Sequence, residues 1–187
     1  MHRRKGVDFG RRALQVASDD PVTLANSALA LSYFGEDLGA MIALVDRALA
    51  LNPSYARGWY IGGILRLFAG QPDGAIQCAE ASLRFSPRGR FGQVFNVIGA
   101  ALLFSRRFDE ALPKLLLATH DDPSFPIAYR YLAACYAHMG RLDEAREVVT
   151  RLRSLTPVVV PRTTRFRNPE HRQLLLSGLR MAAGKAS

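Results

Sequence analysis

His120-Asp121-Asp122 and Glu170-His171 are the two places where a histidine stands beside a carboxylate. Carboxylates beside an imidazole could hold a divalent cation or work as a general acid and base. The spacing argues against both. Three successive residues on a helix point in different directions and cannot converge on one ion. The first cluster falls at a helix end just before Pro123, where a solvated terminus explains it. Glu170-His171 falls in the first turn of a predicted helix, where capping and surface solvation explain it equally well. The chain has no G-x-x-x-x-G-K phosphate loop, no G-x-S-x-G elbow and no H-E-x-x-H zinc helix. Cys78 and Cys135 lack the paired spacing of a zinc or redox site and read as small buried apolar residues. The expectation is a protein that is not an enzyme, with no catalytic, cofactor-binding or metal residues and no cofactor.

Function is then binding, and the elements that must position a binding surface are set by prolines. Pro53, Pro87, Pro123 and Pro157 follow one another at 34, 36 and 34 residues, each after an apolar helical stretch. Trp59 and Tyr129 stand six residues after their prolines and Phe95 eight, so one aromatic slot recurs. Four residues further come Gly63, Gly99 and Ala133, small where a partner helix crosses. Ala75, Ala111 and Ala145 open second helices, and Gly70 and Gly140 fall at the turns between helices. Arg106 takes the turn position of the middle unit, against the pattern. Period, aromatics, small residues and turn glycines together are similar to the tetratricopeptide repeat, a helix-turn-helix unit that stacks into a solenoid because it cannot bury its apolar face alone.

The predicted fold is therefore all-α, a right-handed superhelical solenoid with a C-terminal capping helix. Residues 1–20 form a basic N-terminus and a partial helix of a preceding repeat. Four repeats occupy 21–55, 56–89, 90–125 and 126–157, the first degenerate and carried by Leu24, Ala28, Leu31, Met41, Val45 and Ala48. Residues 158–187 form an extended connector and the capping helix. Val158-Val159-Val160-Pro161 cannot continue a helix, and Asn168-Pro169-Glu170 supplies a cap, a first-turn proline and a carboxylate for a helix from Pro169 to about Ala183.

The net charge of +9 on 187 residues raises the question of nucleic acid. Five of the first 12 residues are basic and one acidic, residues 162–187 hold six and one, and the remainder balances. No stripe of cations follows the repeats, so nucleic-acid binding is not expected. The longest uncharged apolar stretch, Val97 to Phe104, falls far short of the roughly 20 residues a membrane span requires. Met1 to Lys5 leads into Asp8 and Arg11-Arg12 rather than an apolar signal core, which predicts a cytoplasmic protein with no membrane partner.

A partner should meet the concave face, lined by the first helix of each repeat. Counting from the aromatic slot, that face takes Arg57 or Gly58, then Tyr60, Ile64, Leu67 and Phe68 in the second repeat. Gln93 or Val94, Asn96, Ala100, Leu103 and Phe104 follow in the third, and Ile127 or Ala128, Arg130, Ala134, Ala137 and His138 in the fourth. The candidate partner-binding residues are Arg57, Tyr60, Ile64, Phe68, Asn96, Phe104, Arg130 and His138. Such a groove suits an amphipathic helix or an extended peptide. Packing between adjacent first helices is the alternative for Phe68 and Phe104. Asn96 and Arg130 are similar to the groups by which some repeats clamp a terminal carboxylate, but a full clamp needs more residues. The chain's own terminal helix, or a neighbouring domain, could instead fill the groove.

Strings such as Ala48-Leu49-Ala50-Leu51-Asn52-Pro53, Gly58-Trp59-Tyr60, Asp122-Pro123-Ser124-Phe125-Pro126, Leu132 to Gly140 and Arg167 to Arg172 carry a further likeness. From about Ala13 to Gly184 the chain resembles the C-terminal repeat region of bacterial, especially rhizobial, class III adenylate/guanylate cyclase-like proteins. The resemblance implies a regulatory or interaction module in signalling. It implies no cyclase activity, because no position here corresponds to that family's metal-binding or transition-state residues. The alternative it raises is a non-catalytic fragment that packs against its own catalytic domain, with self-association through the N-terminal partial repeat.

Overall fold

The computed structural model describes residues 2–16, 19–86, 91–162 and 165–184. Among them are ten helices and no strand: α1 (His2–Val16), α2 (Pro21–Tyr33), α3 (Leu38–Leu51), α4 (Ala56–Ala69), α5 (Pro72–Phe85), α6 (Gly92–Phe104), α7 (Phe108–Asp121), α8 (Pro126–His138), α9 (Leu142–Leu155) and α10 (Pro169–Ala182). They fall into two units, residues 1–89 and 90–187.

In the first unit α2 and α3 form one hairpin and α4 and α5 a second, with α1 laid against α2. Leu24, Ala28 and Leu31 of α2, Met41, Val45 and Ala48 of α3, and Ile61 and Leu65 of α4 make one buried cluster. The approach of α1 depends on missing side chains. A Cβ at Gly6 would stand 2.3 Å from the Phe34 ring, and one at Gly10 2.9 Å from Leu31. Arg11 closes the edge with a 2.9 Å ion pair to Glu36.

The second unit repeats the plan with hairpins α6–α7 and α8–α9. Gly99 sits where α6 crosses α7, and a Cβ there would lie 2.6 Å from Leu115. Asp121 of the tempting acidic cluster accepts a 2.5 Å hydrogen bond from the Gly92 amide at the start of α6. Asp122 accepts from the Ser124 amide and hydroxyl, as Asn52 does from Ser54 in the first unit. The aromatic slot has a polar handle as well: Trp59 Nε1 donates to the Pro53 carbonyl at 2.8 Å and the Tyr129 hydroxyl to the Pro123 carbonyl at 3.2 Å. Pro87, the second member of the proline series, lies outside the described residues.

One geometry closes all four hairpins. Gly35, Gly70, Arg106 and Gly140 have positive φ, at 86°, 84°, 59° and 76°. The next amide returns to the carbonyl five residues back in every case, Glu36 to Leu31, Gln71 to Arg66, Arg107 to Leu102 and Arg141 to Tyr136. This is the helix-ending motif that glycine accommodates without strain. Arg106 is held in the same conformation by its neighbours' hydrogen bonds, at the strain an L side chain meets there.

The terminal helix, expected as an end cap from Pro169 to about Ala183, spans Pro169–Ala182 and covers the first-helix side of the last repeat. Within the repeats, α4 packs more on α3 than on α2, and α8 more on α7 than on α6. Helix α10 does the reverse: it packs chiefly on α8, touches α9 little and α6 less. It does not pack as the first helices within the repeats do but lies mainly on the one before it, α8.

Left-handed backbone costs an L residue roughly 1–2 kcal/mol, partly offset by the greater freedom of glycine in the unfolded chain. Arg106→Gly should therefore raise stability by about 1 kcal/mol, read as a higher urea midpoint, and Gly140→Ala should lower it by a similar amount.

Candidate functional site

The first-helix face of the first unit is built from α2 and α4. Gly58 is buried, and a Cβ there would fall 2.6 Å from Tyr55, so Arg57 is the residue that emerges. Its Nε donates to Asn26 Oδ1 at 3.1 Å, a neutral partner on the neighbouring first helix. Tyr33 and Phe68 meet with ring centres 6.3 Å apart, and Tyr33 keeps 46% of its surface exposed. Tyr60 is half-buried beside them, and its phenol is pushed up to about 12 by burial and by Tyr33, against the opposing Arg57 charge. Ile64 lies lower in the floor. Among the described helices, those packed on α2 and α4 are α1, α3 and α5 and each other.

On the second unit the equivalent residues are engaged by the chain itself. Phe104 is buried between Tyr131, Phe166 and His171, its ring parallel to the His171 imidazole within 2° at 4.7 Å. Arg130 donates through Nη2 to the Val158 carbonyl at 2.6 Å and through Nε to the Val159 carbonyl at 3.2 Å. His138 places Nε2 2.8 Å from the Leu174 carbonyl, so this nitrogen carries the proton, while its ring stacks on Phe108. Asn96 is buried with Oδ1 unpaired. The carboxylate clamp considered for Asn96 and Arg130 is thus not what these groups form: one faces inward, and the other holds backbone carbonyls of the connector. Partial burial also lowers the pKa of the Arg130 guanidinium.

The thiols are poorly suited to nucleophilic work. Burial pushes Cys135 up to about 12 and raises Cys78, so both stay protonated at neutral pH. No group of three or more His, Cys, Asp or Glu able to hold a metal ion occurs among the described residues. No helix among them is long and apolar enough to cross a membrane.

Residues 97–158 match the tetratricopeptide-repeat family model. Over 101 residues the chain is 32% identical to the small glutamine-rich tetratricopeptide repeat-containing protein 2 of Mycosarcoma maydis, covering 53% of this chain and 28% of that protein. The chain thus spans less than a third of that relative's length. Among solved structures, YrrB, described as a TPR protein with an unusual peptide-binding site, is 24% identical with a TM-score of 0.60, over 94% of this chain and 91% of its own. MamA from Desulfovibrio magneticus RS-1 is 19% identical with a TM-score of 0.66, over 82% and 85%. The fold is the all-α tetratricopeptide fold.

Sequence counting missed Tyr33 and Asn26, although nine residues on from Leu24, the degenerate slot of the first repeat, leads to Tyr33 by the same rule that leads to Phe68. It also missed Gly178. A Cβ on that residue would stand 2.8 Å from Ala134 Cβ and 2.9 Å from both Ala134 Cα and His138 Nε2, which is how closely α10 lies on α8. Nothing in the sequence alone separates this glycine from an ordinary helix-weakening one.

His171 is 8% exposed, and burial lowers its pKa below the ordinary 6.5, with Glu170 acting weakly in the opposite sense. A lowered imidazole pKa favours the neutral ring in the folded state. Its stabilising contribution is therefore complete above pH 6.5 and declines as pH falls through the lowered value. Thermal melts at stepped pH should show stability dropping below about pH 6.5, and His171→Phe, which keeps the stack on Phe104, should flatten that part of the profile.

Proposed function

We propose that this protein is a protein-interaction scaffold that receives a peptide or helix on its first-helix faces, as a cytoplasmic regulatory module in signalling. The observation that carries this reading is that Phe104, Arg130 and His138, chosen from the repeat register, grip a polypeptide segment through ring stacking and backbone carbonyls. A face of this kind is suited to a polypeptide ligand. The peptide-binding site described for YrrB supports the same class of partner. The equivalent face of the first unit carries Tyr33, Arg57, Tyr60, Ile64 and Phe68 and is the surface for an external ligand. Aromatic rings give contact area at small entropic loss, and Arg57, whose Nε is held by the Asn26 amide, has further donors to offer a carboxylate or backbone carbonyl.

Affinity capture with the purified chain, followed by titration of the recovered partner, tests this. Tyr33→Ala combined with Arg57→Glu changes exposed residues and should leave the melting temperature unchanged while weakening partner binding at least tenfold. Undiminished binding by the double variant would remove the first unit's face from consideration.

A second reading, a non-catalytic part of a cyclase-like protein that packs on a further domain, is favoured by α1. Phe9 is 69% and Val16 88% exposed there, an apolar surface that invites a cover. Sedimentation velocity decides on self-association: Phe9→Ser with Val16→Ser should leave a concentration-independent monomer if that surface pairs copies, and change nothing if it does not.

A further inference from the structure

We propose that α10 and its connector are a displaceable internal ligand, and that the α6–α8 face beneath them is the docking site for a partner helix of defined chemistry. The partner is an amphipathic helix with leucines on one face and glycine or alanine at the point of closest approach. This rests on the reading of the chain as a polypeptide-binding scaffold and adds where a helix binds and what competes with it.

Four observations carry it. First, α10 packs chiefly on α8, a first helix, whereas the first helices within the repeats pack chiefly on the preceding second helix; its contacts with α9 and α6 are slight. Second, the polar contacts that Arg130 and His138 make to it are directed at backbone: Arg130 to the carbonyls of Val158 and Val159, and His138 to that of Leu174. Such contacts do not read side chains, so another chain with the same backbone course satisfies them. Third, the floor is flat where the helix rests. Ala100 and Ala134 occupy the register that Leu29 and Ile64 fill in the first unit, and both alanines are fully buried. Gly178 over Ala134 brings the two helices together, and any larger residue at that point meets Ala134 backbone. Fourth, the cover is imperfect. His171 buries Nδ1 without a partner, and such an orphan weakens the docked state relative to a ligand that lacks it.

The internal occupant supplies the template. His171, Leu174, Leu175, Gly178, Leu179 and Ala182 are the buried residues of α10, spaced at i, i+3, i+4, i+7, i+8 and i+11 along one stripe. A competing helix should present leucines at the second, third and fifth of these positions and a small residue at the fourth. Tethering raises the effective concentration of α10 to about the millimolar range for a short flexible linker, so an outside helix must bind tightly or wait for the tether to open.

The test uses the full chain and a fluorescein-labelled synthetic peptide of residues 165–184, read by anisotropy. Gly178→Leu in the full chain should lift its own α10, and this variant should bind the native peptide at least tenfold more tightly than the unaltered protein does. The same peptide carrying Gly178→Leu should bind neither. A Gly178→Leu chain that still melts cooperatively but gains no affinity for the native peptide overturns the proposal. Should that variant fail to fold, amide hydrogen exchange on the unaltered protein decides. Backbone amides of α10 exchanging at least tenfold faster than those of α6 and α8 support a displaceable cover, and equal protection overturns it. Neither readout involves Tyr33 or Arg57, so failure here leaves partner capture by the first unit standing, and the converse also holds.

Discussion

Helices α6 and α8 are apolar around nearly their whole circumference, and that constraint governs the second unit. Every residue of α6 from Asn96 to Phe104 is buried, as is every residue of α8 from Tyr131 to Ala137. One side of each helix is closed by its hairpin partner, at the contact of Gly99 with Leu115 and through the buried Ala145 and Val149 of α9. The other side would face water, and exposing that much apolar surface is unfavourable at roughly 25 cal/mol per Å². Something must lie on it. Leu174, Leu175 and Leu179 of α10, with Phe166 ahead of them, do so. Helix α4 meets the same problem differently, placing Tyr60 and Phe68 where a water-facing edge is tolerated.

The repeat frame was legible because it follows from few demands: a turn every hairpin, a small residue at every crossing, an aromatic in the slot of every repeat after the first. Pro21, Ala75, Ala111, Ala145 and the Asn168 cap stand where their chemistry requires. Arg106 defeated the pattern because the conformation is imposed by Arg107 and Leu102 around it rather than by its own side chain. Propensity at one position is a weak constraint against two well-formed hydrogen bonds.

The candidate site was legible only in part. Register alone brought out Phe104, Arg130 and His138 as members of one face, since helical periodicity says which side chains share a surface. It could not say what they touch. The occupant comes from residues about 30 to 70 positions away, and pairings at that distance leave no periodic trace in a single chain. Gly178 is the clearest instance: its importance lies in Ala134, which no local rule connects to it.

Trp59, the chain's single tryptophan, stands in the first unit with its indole N–H on the Pro53 carbonyl and its ring stacked on Phe85. Intrinsic tryptophan emission is therefore a reporter of one unit alone, and the second unit is optically silent at that wavelength. Circular dichroism sums all ten helices. The two signals followed together measure how strongly the halves cooperate: coincident transitions mean that they unfold as one, and separated transitions give each half its own stability.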